Sequence, residues 1–445
     1  MPLNETSGVD VVVVGAGFAG LATGALLAHR GIRVLVLERR PVLGGRALVV
    51  KQNGFTLNYG LHYVVGGHAS PHYRILKQIG KLDTAPMKPV DTRKLHRWRY
   101  GQLHQVPTSP VDMLATRLLT PRGKLELAKA LAAIMTANPE GLWHTPVGRW
   151  LDGVTTEPSL RNFLLDLCSP LTFEPQPELL SAAHFVLTVR PLLMPKGPLG
   201  LYPVGGWITL FEALAACIQE GGGEVRTKAP AERLEIADGR VAGVWSQGAQ
   251  VKCRAAVLAI PPNELAELLK DTPVPGLETE RLKRIRPTMG VAVDLGVMDL
   301  QNEKIGTIEL PEFAATLGIH NLFEPSLAPP GGHLFQFLRF LTPEQMQDAQ
   351  EVDWSEELIV SFLETIWPDI RQKIVVRRTL VRPVLTAASH RYDQPRPTLL
   401  PIAILEIKGL FLAGDATASP GELSNSAGNS AIDCAQRVST LLEAM

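Results

Sequence analysis

Unbroken apolar runs open the chain, and each stops at a glycine. Asp10-Val11-Val12-Val13-Val14 predicts a short strand buried on both faces. Gly15-Ala16-Gly17-Phe18-Ala19-Gly20 follows, then the Ala/Leu-rich stretch Leu21 to Arg30 predicts a helix that Gly31 stops. Ile32 to Leu37 reads as a second apolar strand, closed by Glu38. Val204-Gly205-Gly206-Trp207 leads into a predicted helix over Ile208 to Glu220, and Ala255 to Ile260 is another apolar strand before Pro261-Pro262. Phe335, Phe337 and Phe340 surround Gln336 and Arg339, and alternation there predicts a strand with Phe335 and Phe337 on one face. Gly409 to Leu412 is a last short strand, and Asn425 to Ala431 opens a helix running towards Leu442.

The first of these units carries chemistry. Strand, G-x-G-x-x-G, helix, strand and acid in register form a dinucleotide-binding turn. Gly15 allows the tight turn, Gly17 lets a pyrophosphate approach the backbone, and Gly20 permits close packing of helix on strand. Phe18 and Ala19 lie between them, where the helix offers unpaired N–H groups and a positive dipole end to phosphate. Glu38 is placed to accept hydrogen bonds from an adenosine ribose. Arg39 follows it at the cofactor; a 2′-phosphate site built from Arg39 and Arg40 is disfavoured, because Glu38 would repel that phosphate. Gly44-Gly45-Arg46 supplies a second glycine pair with a cation able to donate a forked pair of hydrogen bonds to a long cofactor.

Composition narrows the class. The 445 residues suggest two or three domains, with 45% hydrophobic and 20% charged, an ordinary globular mixture. Lys plus Arg and Asp plus Glu both total 44, so no net field favours nucleic acid. Val9 to Ala28 is apolar enough to suggest a signal peptide or a membrane span. No Lys or Arg precedes it, Asp10 interrupts it, and its glycines belong to the turn, so a cytoplasmic protein is expected. Cys168, Cys217, Cys253 and Cys434 lack metal or disulfide spacing, and the 11 histidines show no ligand pattern, so no metal is expected.

At the C-terminus, Gly414-Asp415 after a strand suits a ribityl chain, and the small-residue helix start at Asn425-Ser426 aims N–H groups at a flavin pyrimidine. With Gly15 to Gly20, Glu38, Gly44-Gly45-Arg46 and Pro230-Ala231-Glu232, these residues make the sequence resemble a superfamily of FAD-dependent flavoproteins. It includes bacterial phytoene desaturases, retinol saturase, protoporphyrinogen oxidase and the monoamine and polyamine oxidases. The resemblance spans the whole chain and is closest in character to the phytoene desaturase-like and retinol saturase-like members.

That resemblance implies an α/β architecture: a Rossmann-like FAD-binding domain of the GR2 flavoprotein type (1–83, 204–262, 404–445), interleaved with an α+β substrate domain (84–203, 263–403). It implies non-covalent FAD, with Ala231 at an adenine contact, and it places His62 and Tyr63 of Asn58-Tyr59-Gly60-Leu61-His62-Tyr63 near the flavin ring as candidate catalytic residues. Phe335, Phe337 and Arg339 are candidates for the wall of an apolar substrate tunnel, with ordinary core packing as the alternative. The expected activity is hydride transfer between flavin N5 and a carbon of a large hydrophobic, carotenoid-like molecule, in desaturation, saturation or isomerisation.

Two alternatives stay open, an oxygen-using amine or porphyrinogen oxidase and a non-enzymatic carrier of prenylated ligands. Ser419 to Ser424 lacks the aromatic residue that amine oxidases of this superfamily place before the last helix, which weakens cation–π selection of an amine. The carriers of this fold, Rab GDP-dissociation inhibitors, have lost glycines that this chain keeps. The basic stretch Lys88 to Lys124 and the apolar, Pro-rich Val186 to Pro203 suit either peripheral docking on an anionic bilayer or a solvated face beside a cavity wall.

Overall fold

The computed structural model describes residues 9–59, 63–195, 197–301 and 303–445. Its centre is a five-stranded parallel sheet in the order Glu224–Arg226, Val34–Leu37, Val11–Val14, Ala255–Leu258, Leu410–Leu412. The continuous apolar runs have a physical reason here. Val11, Val13, Val34, Val36 and Val257 face one core, shared with the helices Phe18–Ala28, Trp207–Glu220 and Leu423–Glu443. Val12, Val14, Leu35, Leu37 and Leu258 face a second core beneath the antiparallel sheet Ala231–Ala237, Arg240–Ser246, Ala249–Lys252. A sheet covered on both faces needs apolar side chains at every position, so no alternation is visible. The first helix begins at Phe18, earlier than the expected Leu21, because Gly17 is its N-cap and Gly20 sits in its first turn.

A seven-stranded sheet forms the other large unit, in the order Ile374–Thr386, Thr288–Met298, Gly332–Leu341, Ala315–Ile319, Thr307–Leu310, Leu95–Arg99, Gln102–Gln105. One of its faces packs on the helix Ala349–Ile366. Helices between Pro110 and Leu193 gather around a separate core that includes Ile134, Leu151, Phe163 and Phe185. The four cysteines are buried free thiols. Among the described residues, no helix is long and apolar enough to cross a membrane.

The basic stretch seen in the sequence is partly neutralised by the fold. Lys88 pairs with Glu324, Arg93 with Asp91, Arg97 with Glu309, Arg99 with Asp166 and Arg122 with Glu126. Arg97 is itself buried. The partners of Lys88, Arg97 and Arg99 come from distant segments, so a window of sequence overstated the charge presented to solvent.

Candidate active site

A groove runs along the carboxyl ends of the parallel strands, lined by Gly15, Gly17 to Ala19, Glu38 to Arg40, Gly44 to Ala47 and Ala413 to Thr417. At one end, the Glu38 carboxylate accepts from the backbone N–H groups of Ala16 (2.9 Å) and Arg40 (2.8 Å). These bonds fix its orientation and leave acceptor capacity for a ribose hydroxyl. Arg39 lines the same end, its guanidinium held by Glu264 at 2.7 Å.

The middle is built from backbone. Gly17 bears no side-chain cap, and the first turn of its helix contains no acid, so the helix start offers its amides to an anion. Opposite, the Gly44 N–H donates to Ala16 O at 2.9 Å, and Gly44 and Gly45 both adopt positive φ. A Cβ on Gly45 would lie 3.1 Å from Gly17 Cα. Gly20 serves packing, for a Cβ there would lie 1.9 Å from Gly15 O.

At the far end, the Arg46 guanidinium pairs with Asp415, whose other oxygen accepts from Ala387 N–H at 2.8 Å. Gly414, at φ 139°, donates its N–H to Ser430 Oγ at 2.8 Å. Leu423, Ser424 and Ala427 of the last helix close this end, with Phe173, Ala292, Leu338 and Leu380 facing them. An elongated groove with a ribose acceptor, an uncapped helix start and glycines where a Cβ would intrude fits a dinucleotide carrying a flat ring.

A second cavity of about 350 Å³ joins the groove at Phe173, Leu423 and Ser424, which line both. Its walls are mainly apolar: Val65, Leu171, Leu187, Pro191, Leu192, Leu199 and Leu317. The Pro-rich stretch after Val186 thus supplies part of this wall, while its Met194 and Pro195 remain exposed. Two carboxylates reach this cavity, Glu309 and Glu422. Burial raises both above the usual carboxylate range, opposed at Glu309 by Arg97.

The remaining expected site residues fall in different places. Tyr63 lines the second cavity against Phe323, and burial raises its hydroxyl above the usual tyrosine value. His62 lies outside the described residues. Asn425 also lines the second cavity, with its Nδ2 donating to Val65 O at 3.0 Å. Ser426 is buried, with its Oγ donating to Ser419 O. Ala231 is half-buried at the start of its strand and lines neither space.

Of the two readings of Phe335 and Phe337, tunnel wall or ordinary core, their placement matches the second. Phe335 and Phe337 belong to the core beneath the helix Ala349–Ile366, and neither lines the groove or the second cavity. Phe335 meets the Trp367 ring edge-on at 5.7 Å. Arg339, from the same strand face, donates to Ser355 Oγ at 2.8 Å and lies over the Trp354 ring. The opposite face carries Leu338 to the groove and Phe340 to Phe173, ring centroids 4.9 Å apart. Both faces of the strand are buried, one against the helix and the other towards the groove. Sequence reading also missed Phe173, and missed His184, which packs beside His390 and Glu422.

Fold and groove together define a flavoprotein that holds a dinucleotide at the switch point of a parallel sheet. The comparisons carry this to a family. Residues 18–439 match the model of the flavin containing amine oxidoreductases, and the chain belongs to that family. It is 23% identical to prolycopene isomerase 2, chloroplastic, of an Oncidium hybrid cultivar, over 98% of this chain and 84% of that protein. A shorter segment, 19% of this chain and 14% of that protein, is 45% identical to human all-trans-retinol 13,14-reductase. The fold is similar to that of an oxidoreductase from Methanosarcina mazei, with TM-score 0.79 at 18% identity over 96% of this chain and 100% of that one. The protein is an FAD-dependent oxidoreductase. FAD, when bound, exchanges a hydride through its flavin ring. Glu38, the Gly15–Gly20 turn, Gly45-Arg46 and Gly414-Asp415 are the residues placed to hold it.

Proposed function

We propose that the protein moves a hydride between FAD, held non-covalently, and a carbon of a large apolar isoprenoid, in the manner of the phytoene desaturase-like enzymes. The observation that carries this reading is the second cavity, which meets the flavin end of the groove and is walled mainly by aliphatic side chains. Such a surface favours a hydrocarbon chain through burial, at about 25 cal/mol per Å². The names of the prolycopene isomerase and retinol reductase relatives point the same way.

An amine oxidase is the second reading, favoured by the two carboxylates in the cavity. Each already has partners: Glu309 pairs with Arg97, and Glu422 accepts from Thr188 beside His184. A cationic amine would have to displace those contacts, so the isoprenoid reading is preferred. Peripheral contact with a bilayer is part of the proposal. It rests on Val111, Leu114 and Leu125, each more than 70% exposed, near Arg117 and Lys124 in the chain. Extraction of the purified holoprotein into organic solvent, followed by mass spectrometry, tests the substrate class. An apolar isoprenoid is expected, and a co-purifying amine with no lipid would refute the proposal.

A further inference from the structure

Glu422 precedes the last helix at its N-cap position, yet its side chain does not cap that helix. It turns instead to the wall of the second cavity, one residue before the Leu423–Ser424 junction with the groove. There Thr188 Oγ1 donates to one carboxylate oxygen, and His184 Nε2 meets the other. His184 stacks on His390 with ring centroids 3.9 Å apart and planes 23° from parallel. Both rings are buried, and burial pushes each down to about 3, so both are neutral near pH 7. Nδ1 of His184 meets no partner, so placing the ring proton on Nε2 gives it the carboxylate as acceptor. A hydrogen-bonded carboxylate thus stands in an apolar cavity beside the flavin end.

Ligand atoms of His184, His390 and Glu422 lie within 4.8 Å of one another. Stacked rings lie side by side rather than converging on one point, and Arg396, whose guanidinium lies 4.8 Å over the Trp143 ring, adds positive charge nearby. The geometry favours handling a proton over holding a metal ion.

We propose that Glu422 is a catalytic residue that exchanges a proton with the substrate carbon next to the one exchanging the hydride. His184 and Thr188 are positioning residues for its carboxylate. This rests on the hydride reading above. In the desaturating direction, two neighbouring C–H bonds break and a C=C bond forms. One hydrogen leaves with both electrons for the flavin, and the other leaves as a proton for the Glu422 carboxylate. In the saturating direction, protonated Glu422 returns the proton.

Thr188 on the helix that also carries His184, with His390 and Arg396 on the segment before the last strand, acts on its titration; His184 meets its carboxylate, and Glu422 in turn acts on the buried Cys168 thiol. Asp415 acts on His390. Burial outweighs the lowering by His390, Thr188 and Arg396, so Glu422 titrates above an ordinary glutamate. Desaturation should therefore rise with pH through that raised value, as the base form appears.

The test compares wild-type holoenzyme with Glu422→Gln. Infrared titration should show protonated carboxyl signal above the usual carboxylate range, from Glu309, Glu174 and Glu422 together, that the variant reduces by one group. With lycopene, all-trans-retinol and limonene as probes in anaerobic rapid mixing, hydride exchange with the flavin should slow about 100-fold or more in the variant, with an unchanged flavin spectrum. Formate should partly restore the rate in Glu422→Ala, and His184→Gln should shift the pH profile. If both proteins exchange hydride equally at every pH, or the high-titrating carboxyl signal is undiminished in Glu422→Gln, the proposal is overturned and the hydride reading stands. If neither flavin responds to any probe, the hydride reading falls and takes this proposal with it.

Discussion

Gly17→Ala and Gly20→Ala differ by one methyl at two positions of the same turn, and the structure assigns them opposite failures. Gly17 has φ −74° and ψ 178°, ordinary for any residue, and a Cβ there would meet only Gly45 Cα at 3.9 Å. The apoprotein should therefore keep its stability or gain about 0.4–1 kcal/mol from a less flexible unfolded chain. That methyl would stand between the helix amides and the pyrophosphate. A hydrogen bond to a charged group contributes about 1.5–3 kcal/mol, so losing one weakens FAD roughly 10- to 150-fold. At Gly20, the Cβ would lie 1.9 Å from Gly15 O, and only movement of the backbone could relieve that overlap. A loss above about 4 kcal/mol is expected, enough to remove much of the stability of a domain. Thermal melts of the apoproteins and fluorescence titration with FAD separate the two effects. The reasoning is refuted if Gly17→Ala binds FAD within about threefold of wild type, or if Gly20→Ala melts with wild type.

Acid should destabilise the fold through His72, His184 and His390, each pushed by burial from 6.5 to about 3. Between those values the unfolded chain binds more protons, so stability falls as pH drops, by about 1.4 kcal/mol per pH unit for each ring. His72 stacks on Phe18 at 4.1 Å, so His72→Phe should keep that contact and lower the slope between pH 5 and 4 by about 1.4 kcal/mol per pH unit in denaturant titrations. Phe335→Ala should cost about 3–5 kcal/mol of stability while leaving FAD affinity unchanged, because Phe335 packs in the core away from the groove. If it weakens FAD instead, the assigned face of that strand is wrong. Leu114→Asp with Leu125→Asp should reduce co-sedimentation with anionic vesicles without altering the melting temperature, and unchanged sedimentation would count against bilayer docking.

The cofactor half of the site was legible because its signals are local and steric. Gly15 and Gly20 leave no room for a Cβ, against Ala259 O and Gly15 O, Gly17 keeps the helix amides open to the cofactor, and the valine and leucine strands on either side declare a doubly covered sheet. The substrate half was not legible for two reasons. The strand Gly332–Leu341 is buried at every position, so alternation separates its faces without telling which one meets the cavity. That choice depends on where the helix Ala349–Ile366 packs. Likewise Glu422, His184 and His390 come from three distant segments, and each looks unremarkable in its own window of sequence. The Arg97–Glu309 and Arg99–Asp166 pairs show the same limit for charge, since the local run of cations acquires its partners only through folding.

The most direct test is to mix oxygen-free holoprotein, with its flavin oxidised or reduced, with isoprenoids and amines and follow the flavin absorbance. The account predicts that an isoprenoid bleaches the oxidised flavin or restores colour to the reduced one, while putrescine and cyclohexylamine do neither. Rapid bleaching by an amine, with every isoprenoid inert, would contradict it.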